Sequence, residues 1–329
     1  MSLTIIMYHY VRDIDRSRYP HIKGVERDVF EEQVKYIRDH FTPVRMEDVL
    51  EAAQFGVSYK LPEDAALLTF DDGYIDHYTV AFPILKRYGM QGAFFPVTMA
   101  VREHKLLDVN KVHFILAEAE NKGDAGIKCL VKDCYDLIDK YRVDGRVSET
   151  ADELYEELAV ANRWDPGEII FVKRLLQNRL AGDVRSEMAS TLFDRYVGVD
   201  EETFAGELYM NPDQMKVMKD GGMFFGIHGS GHIWMNKTDI EVVEQDVSEA
   251  VAYFSSDEFG ADGGLIDPDC WVVNYPFGGV NDEVVRIAKS LGAALGLTCE
   301  ARDADIGRDD PYLLPRWDTN DLYPRGKNR

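Results

Sequence analysis

The feature that most constrains the fold is alternation: apolar runs of strand length are followed repeatedly by segments with apolar residues at helical spacing. Leu3–Tyr8 reads as a buried strand. Phe30, Val34, Ile37 and Phe41 share one helical face, so a helix is predicted over Asp28–His40. A short strand near Pro43–Arg45 leads into a helix over Met46–Gln54. Ala65–Phe70 is a strand, Asp76–Tyr88 a helix stopped by Gly89, and Gln91–Val97 the next strand. The pattern resumes with a helix over Asn211–Asp220, capped by Asn211 with Pro212 at its first position. Met223–Ile227 is a strand, and Thr238 with Glu241 has the spacing of a capping box. The helix it opens carries Ile240, Val243, Val247, Val251 and Phe254 on one face. Cys270–Tyr275, Ala293–Leu297 and Tyr312–Leu314 read as strands, with a helix over Asn281–Leu291. Strands separated by helices run parallel through crossovers, and seven or eight of them suggest a closed α/β barrel.

Between about Leu106 and Leu208 the strand signal disappears. Ile127, Leu130, Val131, Cys134, Leu137, Ile138 and Tyr141 form one helical stripe, and 149–161, 167–181 and 183–196 read as further helices. The expected organisation is therefore barrel over 1–105, helical insertion over 106–208, and barrel again over 209–329. The insertion leaves from the C-terminal side of the Gln91–Val97 strand. That position suits a lid beside an active site, and equally a separate subdomain or dimer surface.

A chain of 329 residues, 45% hydrophobic and 29% charged, can bury a large core. Its net charge of −22 and lack of a basic stripe argue against nucleic-acid partners and against an anionic membrane surface. No run approaches the ~20 apolar residues of a membrane span. Met1–Tyr8 lacks the charged start and small-residue cleavage site of a signal peptide. The four cysteines, Cys129, Cys134, Cys270 and Cys299, contain no Cys-x-x-Cys pair. Free thiols in a cytoplasmic protein are expected. The oligomeric state is left open.

The chemistry gathers in two segments. Asp71 and Asp72 close the apolar run in Thr69-Phe70-Asp71-Asp72-Gly73-Tyr74. His228 and His232 bracket Gly229-Ser230-Gly231. One carboxylate and two imidazoles can hold a metal with an open position, leaving the second carboxylate free as a base. A metal so held lowers the pKa of water and polarises a carbonyl. Zinc is the first choice for this nitrogen and oxygen set; iron, cobalt, nickel and manganese fit as well. The glycines argue for a tight loop over a helical turn. Each segment alone also reads as ordinary structure, a turn with a helix cap or a chance His pair. Their weight comes from co-occurrence. His9, Asp71, Asp72, His228 and Arg316 are all expected just past strand ends, on the face where an α/β barrel carries its chemistry.

Thr69–Tyr74 resembles the first motif of the polysaccharide deacetylases, the NodB-homology or carbohydrate esterase family 4 fold. His228-Gly229-Ser230-Gly231-His232 resembles their second motif, His-Ser/Thr-x-x-His, and Asn274-Tyr275-Pro276-Phe277-Gly278 is similar to the third. The resemblance covers roughly 3–100 and 210–318. It implies a distorted (β/α)7-8 barrel interrupted by the helical insertion. It assigns Asp71 as catalytic base, Asp72, His228 and His232 as metal ligands, and the backbone N–H of Tyr74 as an oxyanion donor. The reaction would be removal of an acetyl group from an N-acetylated sugar or glycan.

Three departures stand out. Gly229 replaces the Ser or Thr whose hydroxyl braces the motif loop, with Ser230 as a candidate substitute. Asn274 stands where many members have the Arg that orients the base; Arg316 could take that role or form a structural ion pair. No histidine follows His232, so the usual C-terminal acid is missing. Tyr8-His9 is similar to a first-strand pair of the exopolysaccharide-adhesin deacetylases, which makes His9 the candidate acid; the other reading is a hydrogen-bonded core histidine at the barrel mouth. His21, His40, His77, His104 and His113 read as structural. The expected function is a metal-dependent deacetylase of surface polysaccharide or lipopolysaccharide assembly. The rivals are another C–N hydrolase on a small amide, deformylase or allantoinase-like, and a glycan-binding member without turnover.

Overall fold

The computed structural model describes residues 1–55, 60–162, 165–260 and 263–322. In chain order its strands are β1 (Ser2–Tyr8), β2 (Val11–Arg12), β3 (Val25–Glu26), β4 (Thr42–Pro43), β5 (Ala65–Asp72), β6 (Gly92–Pro96), β7 (Phe224–Phe225), β8 (Trp271–Asn274), β9 (Ala293–Leu297), β10 (Ala304–Asp305) and β11 (Trp317–Asp318). All 8 residues of β5 are buried, as befits a parallel strand covered on both faces. β5 pairs in parallel with β1 from Leu3↔Ala65 to Tyr8↔Phe70, and with β6 from Leu68↔Gly92 to Asp72↔Pro96. β6 pairs with β7, a bridge from Ile227 to Val273 reaches β8, and β8 pairs with β9. A bridge from Leu297 to Leu314 and the pairing of β11 with β1 close the ring. The closed parallel barrel is therefore present, distorted where single bridges replace ladders.

Alternation along the strands sorts the core into two clusters. One joins Leu3, Ile5, Leu67, Phe95, Val272 and Leu295 from strands all round the ring. The other joins the alternate residues, such as Ile6, Leu68, Phe70 and Phe94, to the helices. In the first stretch those helices include α1 (Arg27–His40), α3 (Phe82–Tyr88) and α4 (Thr98–Arg102), whereas α2 (Met46–Phe55) packs into the first cluster through Met46, Val49 and Ala52.

The chain divides into two compact units. Among the described residues, the barrel unit comprises Met1–Arg12, Gly24–Lys105 and the chain from Ala205 to Leu322. The helical unit comprises Leu106–Phe204 together with Asp13–Lys23, a strap the sequence pattern did not reveal. Its helices are α5 (Asp108–Asn121), α6 (Gly123–Val143), α7 (Ala151–Leu158), α8 (Gly167–Arg174) and α9 (Gly182–Tyr196). On α6, Leu130, Cys134, Leu137, Ile138 and Tyr141 are buried, with Ile127 and Val131 half-buried. In the strap, Tyr19 packs edge-on to Phe114 and Phe204. After α10 (Glu201–Leu208) the barrel resumes with α11 (Pro212–Asp220), α12 (Ile240–Phe254) and α13 (Asp282–Ser290).

Local chemistry explains where elements begin and where they differ from expectation. Asn211 and Gln214 form a reciprocal cap at α11, at 2.9 and 3.0 Å. The capping box expected from Thr238 and Glu241 does not form. Asp239 is the cap position of α12 and makes no side-chain cap bond, while the Thr238 hydroxyl donates to the Trp234 carbonyl at 2.9 Å. The helix expected over Asp76–Tyr88 opens as a π-helical turn, His77–Ala81, before α3. Pro83 has no N–H to return to the Thr79 carbonyl, which favours the wider turn. The strand expected at Tyr312–Leu314 reduces to the bridge at Leu314; regular pairing starts at Trp317.

Candidate active site

β5 delivers Asp71 and Asp72 as its last two residues, not just beyond its end as expected. Asp72 has φ 71° and Gly73 φ 75°, both left-handed. A short polar Asp tolerates that conformation. Gly73 has no substitute, because a Cβ there would lie 2.8 Å from the Pro96 Cβ. The turn makes two adjacent carboxylates face different partners.

Asp71 faces Arg316. The guanidinium donates Nη1 to Oδ1 at 2.8 Å and Nη2 to Oδ2 at 2.9 Å. It also donates to Thr69 Oγ1 at 3.0 Å, Asn274 Oδ1 at 2.7 Å and the Thr298 carbonyl at 2.9 Å. Every N–H of the guanidinium has a partner. Arg316 is 1% exposed and precedes β11, so it does not lie past a strand end as expected; its long side chain spans the difference. Burial pushes the Asp71 pKa up, but the charge and hydrogen bonds of Arg316 outweigh it and leave the group at about 2. The Arg316 side chain thus meets both Asp71 and Asn274, the position where the third motif lacks its Arg.

Asp72 faces the histidines. His228 follows the Ile227 bridge, and the segment to His232 is a loop, as its glycines suggested. His228 Nε2 and His232 Nε2 lie 3.4 and 3.3 Å from Asp72 Oδ1. One ligand atom from each of the three residues lies within 4.8 Å of the others. Asp72 Oδ2 accepts from the Tyr74 hydroxyl at 2.5 Å, whereas the buried Oδ1 has no hydrogen-bond partner. A buried carboxylate oxygen without a donor, facing two imidazole nitrogens, is what a divalent cation would satisfy. The residues therefore fit a metal. His228 Nδ1 lies 2.6 Å from the Asn274 carbonyl, which can only accept. Nδ1 therefore carries a proton, and in the neutral ring Nε2 is the bare nitrogen that faces Asp72. His232 is set by packing: its ring meets Phe277 edge-on at 4.6 Å, and Phe277 stacks on Trp234 at 4.4 Å.

His9 follows β1, its side chain is 40% exposed, and its Nε2 lies 3.8 Å from Asp71 Oδ2. His77 is buried and lies 3.0 Å from the His9 carbonyl through Nε2, which must donate. Burial pulls the His77 pKa down to about 4, so the ring is neutral and steadies the backbone of His9. Tyr74 stacks on Tyr10 with centroids 4.0 Å apart.

All the residues singled out from the sequence, His9, Asp71, Asp72, Tyr74, His228, His232 and Arg316, thus connect through direct contacts at one end of the barrel. His77 is structural, as expected; the sequence reading missed Asn274 as a partner, the Trp234–Phe277 stack, and Asp246 beneath the histidine loop. Asp246 had left a signal: it is a carboxylate among the apolar positions Val243, Val247 and Ala250 of α12, and it is 7% exposed.

Residues 58–128 match the family model described as Polysaccharide deacetylase. The resemblance to polysaccharide deacetylases is borne out. A curated relative, the putative polysaccharide deacetylase YxkH of Bacillus subtilis, is 33% identical over 113 residues, which cover 32% of this chain and 36% of that protein. Poly-beta-1,6-N-acetyl-D-glucosamine N-deacetylase of Escherichia coli K12 is 34% identical over 93 residues, covering 28% of this chain and 13% of that protein. The match thus spans little more than a third of the first relative and far less of the second. Among solved structures, the Streptococcus pyogenes deacetylase PplD has a TM-score of 0.55 at 18% identity, covering 97% of this chain and 92% of that one. IcaB from Ammonifex degensii has a TM-score of 0.53 at 17% identity, covering 96% and 91%. At these identities the structural likeness speaks for the fold. Among the described residues, no helix is long and apolar enough to cross a membrane.

Proposed function

We propose that this chain is a metal-dependent deacetylase that removes acetyl groups from an N-acetylated amino sugar of a surface glycan. The observation that carries the reading is the buried, donorless Oδ1 of Asp72 facing His228 and His232, beside a second carboxylate held by Arg316. The name of the Escherichia coli relative supports the substrate class.

Asp72, His228 and His232 would hold the metal, zinc first, with iron, cobalt, nickel or manganese as alternatives. When bound, it supplies a Lewis acid beside the scissile carbonyl and water made acidic enough to lose a proton near neutral pH. Asp71 is ionised at working pH and accepts that proton. Arg316 fixes both oxygens of Asp71, so the base presents one orientation. The backbone N–H of Tyr74 serves as a donor to the oxygen that gains charge. His9, within reach of Asp71 and open to solvent on one side, delivers a proton to the departing amine. The products are acetate and the free amino sugar.

The test is acetate release from β-1,6-linked N-acetylglucosamine oligomers, chitin oligomers and nucleotide sugars, with metal-stripped and zinc-reloaded protein. Release should depend on zinc and fall by roughly 10²- to 10⁴-fold in Asp71→Asn, the usual worth of a general base. Turnover that survives both chelation and Asp71→Asn would sink the mechanism. Zinc binding with no acetate from any substrate would favour glycan binding without turnover.

A further inference from the structure

Gly229 lacks the hydroxyl that braces the second motif in the family it resembles, yet four of the six backbone N–H and C=O groups of residues 229–231 are held. The Gly229 carbonyl accepts from the Thr98 N–H at 3.3 Å, and the Ser230 carbonyl from the Met99 N–H at 3.0 Å, both at the start of α4. The Ser230 N–H donates to Asp246 Oδ2 at 2.9 Å and the Gly231 N–H to Asp246 Oδ1 at 2.6 Å. The Ser230 hydroxyl turns to Glu249 Oε2 at 3.1 Å, one helical turn farther along α12. Ser230 therefore contributes through its backbone to Asp246 and through its hydroxyl to Glu249, a different arrangement from a simple one-place shift of the missing hydroxyl.

The same carboxylate explains the glycine. A Cβ on Gly229 would lie 2.4 Å from Asp246 Oδ2, and φ there is +76°. Any side chain at 229 would collide with the group that grips the next two residues. A carboxylate is required at 246, because two N–H donors converge on it and only a carboxylate offers an acceptor oxygen to each. Both partners are local to the metal ligands, since the gripped N–H groups belong to residues between His228 and His232.

We infer that Asp246 is a positioning residue for the metal ligands: it replaces the missing motif hydroxyl, and Gly229 is glycine to admit it. This rests on the metal-binding reading above. Asp246 lies outside the ligand group Asp72, His228 and His232. It acts by fixing the path of the chain between the two imidazoles, as outer contacts do for other metal ligands.

The experiment titrates the metal-free full chain with Zn²⁺, and with Co²⁺ to follow its visible absorption. The proteins are wild type, Asp246→Ala, Asp246→Asn, Gly229→Ala and the double variant Gly229→Ala with Asp246→Ala. Circular dichroism confirms that each is folded at the temperature used. Asp246→Ala should weaken zinc binding by roughly 10- to 100-fold and alter the cobalt spectrum. Asp246→Asn, which keeps the shape but only one acceptor, should lose less. Gly229→Ala should lose at least about 10-fold, and the double variant should stay within about threefold of Asp246→Ala, because changes at one shared contact do not add. Wild-type zinc affinity and cobalt spectrum in Asp246→Ala, or independent losses that multiply in the double variant, would overturn the inference while leaving the metal site intact. A wild-type chain that binds no zinc would overturn both.

Discussion

The two sides of the site reach their positions by opposite means. The carboxylates end a strand that is fully buried and paired on both edges, so register alone sets their height in the barrel. Only direction remains to be fixed, by the left-handed turn at Asp72 and by Arg316 on Asp71, 245 residues away in the chain. The histidines stand on a loop with no ladder to set them. Each is held individually: His228 by the Asn274 carbonyl, His232 by Phe277, and the chain between them by Asp246. A strand end offers rigidity for nothing extra, whereas a glycine loop needs a separate partner for each ligand. Substitutions on the carboxylate side should therefore be felt as stability, and those around the ligands as metal affinity.

The largest expected effect follows from breaking the Arg316–Asp71 pair. Arg316→Met leaves a buried carboxylate without its cation and should cost about 3–5 kcal/mol in urea unfolding. A loss under about 1 kcal/mol would mean the carboxylate side does not depend on this pair.

Next comes the acid limb of stability. The folded-state pKa of Asp71 lies at about 2, below its ordinary 3.8. A depressed pKa contributes stability in full above the unfolded value and loses it as pH falls through the folded one. Between about pH 4 and pH 2 the wild type should lose ~2 kcal/mol more than the double variant Asp71→Asn with Arg316→Met, which lacks the titrating group. Parallel acid profiles would contradict the assignment.

The smallest effect tests where the two sides touch. Tyr74→Phe removes the hydroxyl on Asp72 Oδ2 while keeping the stack on Tyr10. Zinc affinity should drop roughly 10-fold, at the low end for an outer-contact residue, with little change in unfolding. An unchanged affinity would show that the turn at Asp72 suffices to orient it.

Much of the carboxylate side was legible because its signals are local. The apolar run Ala65–Phe70, the paired Asp residues and Gly73 lie within nine positions, and strand plus tight turn follow from them. The barrel followed from alternation, and the loop nature of His228–His232 from its glycines. What stayed hidden was non-local or backbone-borne. Arg316 could be matched to Asp71 only through the family resemblance, because nothing in its own neighbourhood tells which carboxylate it meets. The Asn274 carbonyl that orients His228 is an atom every residue possesses. β7 and β11 are 2 residues each, because bridges replace ladders at the barrel seams, and such short pieces leave no periodicity to read. The strap Asp13–Lys23 joins the helical unit through aromatic contacts made across the chain. Asp246 is different in kind: a carboxylate inside an apolar helical face is a visible anomaly, and its partner could have been sought among the nearby glycines.

The central claim is that both sides converge on one cation at the donorless oxygen of Asp72. It is tested most directly by anomalous diffraction at the zinc edge from crystals of the zinc-loaded chain. The account predicts one strong peak about 2.0–2.2 Å from Asp72 Oδ1, His228 Nε2 and His232 Nε2, with Asp71 outside bonding distance and still paired to Arg316. A peak ligated by Asp71 in place of Asp72, or no peak between the two histidines at saturating zinc, would contradict it.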